Sequence, residues 1–215
     1  MSHIAENLRS IKSQLPPQVT LIAVSKTKPN EEIMEAYNAG QRDFGENRVQ
    51  ELLPKAEALP KDIRWHLIGH LQTNKVKYIA PFVHMIHSVD SEKLLAEVNK
   101  QAAKCNRVIP VLLQIFIAQE ETKFGFSFEE AEAALKNAAN YPNTKITGFM
   151  GMATNTDDEA QVAKEFSSLH DFFTKQKAAH NGLSVLSTGM SSDWQLAVQH
   201  GSTMIRVGSS IFGSR

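Results

Sequence analysis

Lys26 follows directly on the apolar run of "LIAVSKTKP", and a lysine at the end of a buried segment is in a position to do chemistry. A lysine amine attacks a carbonyl only when neutral, and desolvation or a neighbouring cation favours the neutral form. Near the other end of the sequence, "STGMSSD" (187–193) and "IRVGSS" (205–210) each bring a glycine up against serines. Turns of that composition expose backbone N–H groups and hydroxyls, the donors that an anion such as phosphate needs. Arg206 alternates with Ile205 and Val207, so its guanidinium faces the opposite side of its strand and needs a partner if buried. Each feature also has a plainer reading. Lys26 could be solvated, as Lys28 is expected to be, the turns could be simple punctuation, and Arg206 could pair with Glu46 or Asp43.

These residues need a scaffold that gathers strand ends. Short β-rich runs, "VTLIAVS", "QRDFG", "RWHLIG", "VHMIHSV", "VIPVLLQIF", "KITGFMGM", "LSVLST" and "TMIRVG", alternate with segments of helical period. "QRDFG" is the weakest of them. Ser127 and Glu130 have capping-box spacing ahead of Ala131, Ala134 and Leu135, and Val162, Phe166, Leu169 and Phe173 form an apolar helical stripe. Strand followed by helix, repeated about eight times, predicts an α/β fold of the (β/α)₈ TIM-barrel type with an extra N-terminal helix. The rival, a doubly wound open sheet binding a dinucleotide, calls for G-x-G-x-x-G after an early strand, and none is present. A barrel places its chemistry where strands end. There stand Lys26, then Glu46 and Asn47, then Gly69, His70 and Gln72, then Ser88, then Met152, Thr154 and Asn155, and finally the two serine turns. A phosphate cradle after the last two strands, a buried arginine and a lysine at the barrel mouth together fit pyridoxal 5'-phosphate (PLP), an aldehyde carrying a phosphate.

Composition narrows the alternatives. The 215 residues hold 23 Lys plus Arg and 23 Asp plus Glu, so no overall field draws the chain to nucleic acid or an anionic membrane. No pause at a long linker interrupts the pattern, which fits one domain over 1–215. Cys105 stands alone, excluding an intramolecular disulfide and fitting a cytoplasmic protein. Ile4, Leu8, Ile11 and Leu15 fall at helical spacing among charges, an amphipathic helix in place of a signal peptide, and no apolar run spans a bilayer. The eight histidines show no metal-binding motif.

"AVSKTKP", "FGENRVQE", "WHLIGHLQTNK", "STGMSSD" and "GSTMIRVGSSIFG" resemble, in order and over nearly the whole chain, the pyridoxal-phosphate homeostasis proteins, single-domain relatives of the alanine racemase barrel. The resemblance implies that Lys26 carries PLP as an internal aldimine. It also implies that Ser191 and the backbone of Met190, Gly208 and Ser209 hold the phosphate, and that Arg206 faces the pyridine nitrogen. Asn47 and His66 match family pocket positions, although His66 equally fits a satisfied core histidine. An arginine only donates hydrogen bonds, so it would leave that nitrogen unprotonated and the ring a poor electron sink. Racemases of this fold take a second acid/base, a tyrosine, from an added β-domain, which this sequence is expected to lack; Tyr37, Tyr78 and Tyr141 lie in or beside helical segments. The implied role is a PLP carrier in PLP homeostasis, a monomer with PLP-dependent apoenzymes as candidate recipients, with a PLP-dependent racemase or lyase as the alternative. Phe116 and Trp194 depart from the family pattern, placing the ring environment in question.

Overall fold

A computed structural model describes residues 3–119 and 124–213. Parallel strands pair in sequence order and close on themselves: β1 (Thr20–Val24), β2 (Asp43–Glu46), β3 (Arg64–Leu67), β4 (Met85–Val89), β5 (Ile109–Gln114), β6 (Thr144–Met150), β7 (Val185–Ser187) and β8 (Met204–Val207). Around them run α1 (His3–Gln14), α2 (Asn30–Asn38), α3 (Val49–Ala58), α4 (Val76–Ile79), α5 (Glu92–Lys104), α6 (Phe128–Lys136), α7 (Glu159–Ala179), α8 (Trp194–Gln199) and α9 (Ser209–Phe212). The expected (β/α)₈ barrel with its additional first helix is therefore what forms, and "QRDFG" contributes β2. Among the described residues the barrel is the only sheet, and no helix is long and apolar enough to cross a membrane.

Side-chain alternation sorts each strand between two cores. Leu21 and Ala23 of β1 join the annulus under the helices with Phe44, Trp65, Leu67 and Ile86, while Ile22 faces the bore with Met85, Leu112, Met150 and Met204. Register then fixes which polar residues share that bore. Arg206 pairs with Ile22, His66 with Met85, and Ser187 with Met204, and each of these partners is a bore residue. The apolar filling is thus incomplete, and buried Asp43, His66, His87, Ser187 and Arg206 occupy the remainder.

The helices form where the sequence caps and stripes them. Ser127 and Glu130 make a reciprocal capping box on α6, and Val162, Phe166, Leu169 and Phe173 bury one face of α7. In α1, Ile4, Leu8 and Ile11 are buried, each contributing about 1.5–3 kcal/mol of transfer free energy. Asn7 Nδ2 donates to the Ile211 carbonyl at 3.0 Å, tying α1 to α9. Neither Ser191 nor Ser192 caps α8; Asp193 holds the N-cap position, and its Oδ1 accepts from the Met190 N–H at 2.6 Å.

Candidate functional site

The C-terminal strand ends open into a cavity of about 420 Å³ whose wall includes Lys26, Asn47, Ile68, Met152, Met190, Ser191, Arg206, Gly208 and Ser209. Of the residues that the family resemblance implied, all but His66 line it; among the other strand-end residues Met152 does, while Glu46, Gly69, His70, Gln72, Ser88, Thr154 and Asn155 do not.

Lys26 occupies a turn from Ser25 to Lys28, closed by the Lys28 N–H on the Ser25 carbonyl at 3.0 Å. Thr27 follows at φ +64°, a left-handed conformation that a β-branched residue rarely adopts. Helix α3 holds the turn from behind. Glu51 Oε2 accepts the Thr27 N–H at 2.7 Å, and Lys55 Nζ donates to the Ser25 carbonyl at 2.8 Å and to Glu46 Oε1 at 2.7 Å. Ser25 Oγ donates to the same Glu46 oxygen at 2.6 Å, and burial pushes the Glu46 carboxyl up despite these donors. Lys28 is not the solvated residue expected; its Nζ donates to the Phe212 carbonyl at 3.0 Å and lies 3.4 Å from Glu32, because α9 folds back over the turn.

Asn47 follows β2, and Gly69 after β3 comes so close that a Cβ there would overlap the Asn47 backbone. Its side-chain Oδ1 is buried without a hydrogen-bond donor, an acceptor that a ligand donor in the cavity would satisfy.

The serine turns present to the cavity a set of donors that differs from the one expected. Gly189, at φ +92°, packs where a Cβ would lie 2.7 Å from the Ala197 Cβ, so only glycine fits. The Met190 N–H is taken by Asp193, and the Gly208 N–H donates to Ser191 Oγ at 3.1 Å. Among the described residues, the N–H groups of Ser191, Ser192 and Ser209 meet no protein acceptor. All three serines line the cavity, so their free donors are within it for an anion to use.

Arg206 is 4% exposed and touches no carboxylate among the described residues. Its Nη1 donates to the Ser187 carbonyl at 2.8 Å and to Ser187 Oγ at 2.6 Å, and Nη2 donates to the Gly151 carbonyl at 3.2 Å. The ion pair considered with Glu46 or Asp43 does not form. Glu46 lies outside the barrel wall against Lys55, and Asp43 receives Arg64 Nε and Nη2 at 2.7 and 2.5 Å. Burial pushes the Arg206 pKa down to about 10, so the guanidinium stays charged at neutral pH.

His66 sits below the cavity, 1% exposed, with Nδ1 2.9 Å from His87 Nε2 and Nε2 3.1 Å from Asp43 Oδ1. Burial lowers the pKa of both rings, most for His87. At Asp43 burial acts upward, but the hydrogen bonds from Arg64 and His66 prevail and hold the carboxyl far below the usual carboxylate range. His84 brings a third ligand-type atom within 4.8 Å of His66 and Asp43, but the Arg64 guanidinium already clasps the carboxylate, an arrangement suited to an ion pair and not to a cation. Trp194 is buried in the annulus and Phe116 borders a different cleft, so neither departure touches the cavity. The hydroxyls of Tyr37 and Tyr141 donate to Asp62 and Glu92, away from it.

Comparison with known proteins adds a family to this geometry. The profile described as "Alanine racemase, N-terminal domain" matches residues 1–215. The pyridoxal phosphate homeostasis protein of Aquifex aeolicus (strain VF5) is 41% identical over 197 residues, 91% of this chain and 86% of the relative. That of Pasteurella multocida (strain Pm70) is 36% identical, covering 100% of this chain and 96% of the relative. Among solved structures, PipY of Synechococcus elongatus PCC7942 with PLP bound superposes with a TM-score of 0.89 at 40% identity, covering 98% of this chain and 100% of PipY.

Proposed function

The chain belongs to the alanine racemase N-terminal domain family, with the pyridoxal phosphate homeostasis proteins as its relatives, and from that premise we propose that it holds pyridoxal 5'-phosphate in the barrel mouth as part of intracellular PLP homeostasis. One observation carries the reading. A lysine amine, a buried arginine and the unpaired N–H groups of the last two turns line the same cavity of about 420 Å³, a volume suited to a ligand of this size.

When bound, the cofactor supplies an aldehyde with which an amine can condense, losing water. Lys26 is the amine presented to it by the clamped turn. Ser191, Ser192 and Ser209 hold the phosphate through backbone N–H groups, and Met190 and Gly208 shape the turns that aim those donors. Arg206 has five N–H bonds, three of them taken up by Ser187 and Gly151, which leaves two for the ring nitrogen. Asn47 Oδ1 accepts from a ring substituent.

Among the described residues, the side chains on the cavity wall with a protonatable amine or guanidine are Lys26, Lys28 and Arg206, and Lys28 is engaged by the Phe212 carbonyl and Glu32. This supports a carrier without a second acid/base opposite Lys26. We read the working unit as a monomeric single domain; the lone Cys105 fits the cytoplasm, and the balanced net charge gives no overall pull to nucleic acid or membrane, with PLP-requiring apoenzymes as recipients.

The test is to soak the purified protein in PLP, remove the excess and record the visible spectrum. The wild type should retain a chromophore and Lys26→Ala should not. A colourless wild type would contradict the reading, and Cα deuterium exchange on added amino acids would contradict the carrier role.

A further inference from the structure

An unbroken hydrogen-bonded line crosses the barrel from its closed end to the cavity. Arg206 Nη1 lies 2.6 Å from Ser187 Oγ, Ser187 Oγ 3.1 Å from His87 Nδ1, His87 Nε2 2.9 Å from His66 Nδ1, and His66 Nε2 3.1 Å from Asp43 Oδ1. Arg64 closes the far end on Asp43. His87 comes from β4 and Ser187 from β7, so the line spans the bore and does not follow the wall. Asp43, His66, His87, Ser187 and Arg206 are all buried.

Counting protons gives the line a direction. Arg206 can only donate and ionised Asp43 can only accept. Each of the four contacts takes one proton, and Arg206, the Ser187 hydroxyl, His87 and His66 supply one apiece. Ser187 must therefore donate to His87 Nδ1, His87 must donate from Nε2 to His66 Nδ1, and His66 must donate from Nε2 to Asp43. With the Ser187 hydroxyl donating into the line both rings are neutral Nε2–H tautomers; turning that hydroxyl away would let His87 donate from Nδ1 to Ser187 Oγ only with an imidazolium at His66, a charged form that burial disfavours. The charged and titratable groups facing the rings are Asp43, Arg64, His84 and Arg206, with Arg107 acting on His84, and burial disfavours the charged form of each ring.

We propose that Asp43, His66, His87 and Ser187 are positioning residues for Arg206. By committing the Ser187 hydroxyl proton to His87, the line leaves Ser187 Oγ only an acceptor toward Arg206. That fixes the rotation of the guanidinium and turns its two remaining N–H bonds to the cavity. Asp43, held by Arg64, anchors the far end of the line, while Asp193 is the carboxylate whose charge acts on Arg206. The inference rests on the cavity being the PLP site, and it gives His66 a role transmitted through three hydrogen bonds without cavity contact.

Two measurements test it. In protein without added cofactor, ¹⁵N-edited NMR of the imidazoles should show His66 and His87 as Nε2–H tautomers whose shifts do not move between about pH 6 and 8. An Nδ1–H tautomer or an imidazolium at either position overturns the relay. Equilibrium PLP binding then compares His87→Gln, whose amide accepts from Ser187 and donates to His66, with His87→Leu, which cannot. The leucine variant should bind about tenfold more weakly with a displaced absorption maximum, whereas glutamine should restore the wild-type maximum and affinity within about threefold. Wild-type affinity and spectrum in His87→Leu would overturn the positioning role while leaving the cofactor site intact. A wild type that takes up no PLP would sink the site reading instead, and the tautomers would still decide whether the relay exists.

Discussion

Thr27 holds a left-handed backbone, φ +64°, while giving its N–H to Glu51 Oε2 at 2.7 Å. The residue after Lys26 is thus kept in a conformation its β-branched side chain disfavours by a carboxylate on α3. Glu51 and Lys55, one turn apart on α3, grip the same loop, so the direction of Lys26 is set from outside the cavity.

Relief of that conformation is measurable. Thr27→Gly removes a left-handed penalty of about 1–2 kcal/mol and adds unfolded-state freedom of about 0.5–1 kcal/mol. Urea denaturation should therefore find the variant as stable as the wild type or more stable by up to about 1 kcal/mol. A loss larger than that would mean the turn is not strained.

Gly69→Ala should act on Asn47. The new methyl meets backbone and not a yielding side chain, so a loss of about 1–3 kcal/mol is expected together with weaker PLP retention. A variant matching the wild type in both denaturation midpoint and retention would show that the two loops are not in the contact described.

Glu46 is fully buried, and Lys55 is its only cationic partner within hydrogen-bond distance among the described residues. Removing the ammonium in Lys55→Met strands the carboxylate and should cost about 3–5 kcal/mol. The double variant Lys55→Met/Glu46→Leu should recover much of that. A double-mutant cycle with additive losses would contradict a coupled pair.

Acid sensitivity follows from the buried histidines. Burial holds His66 and His87 below their ordinary pKa, so the folded state keeps them neutral while the unfolded chain gains protons below about 6.5. Their contribution is complete above that pH and falls as pH drops below it, by up to about 1.4 kcal/mol per pH unit for each ring. Glu46, raised by burial, acts in the opposite sense, so the comparison is made against His87→Gln, which should lose about one proton's worth of slope in denaturation between about pH 5 and 7. An unchanged slope in that variant would mean His87 titrates alike in both states. Asp43 sets the acid limit separately. Arg64 and His66 hold it below its ordinary value against burial, so its contribution is present above about pH 4 and lost below.

Alternating strands and helical stripes made the barrel legible, including the short β2, and placement at strand ends was enough to collect Lys26, Asn47, Arg206 and the serine turns. Depth was not legible. Alternation puts His66 on the bore side of β3, the side of Ile68, but Ile68 reaches the cavity and His66 lies one step below it. Nor could spacing identify the partners of Arg206. Glu46 is one residue past inward-facing Gly45, and so faces α3, while Ser187 comes from a strand whose pairing with β8 only the closed barrel sets. Lys28 looked solvated because the carbonyl it meets, Phe212, is 184 residues away. The relay was equally hidden, since β2, β3, β4 and β7 each supply one unremarkable polar residue. Within the cradle, which N–H groups remain unpaired depends on Asp193 and Ser191 turning back on their own loops.

The central claim is that Lys26 is the amine offered to the cofactor. Borohydride reduction of the PLP-soaked protein, followed by peptide mass spectrometry, tests it most directly. The expected result is a single pyridoxyl-phosphate mass increment on the peptide containing Lys26 and none in Lys26→Ala. An increment on Lys28 instead, or an undiminished one in Lys26→Ala, would contradict the account.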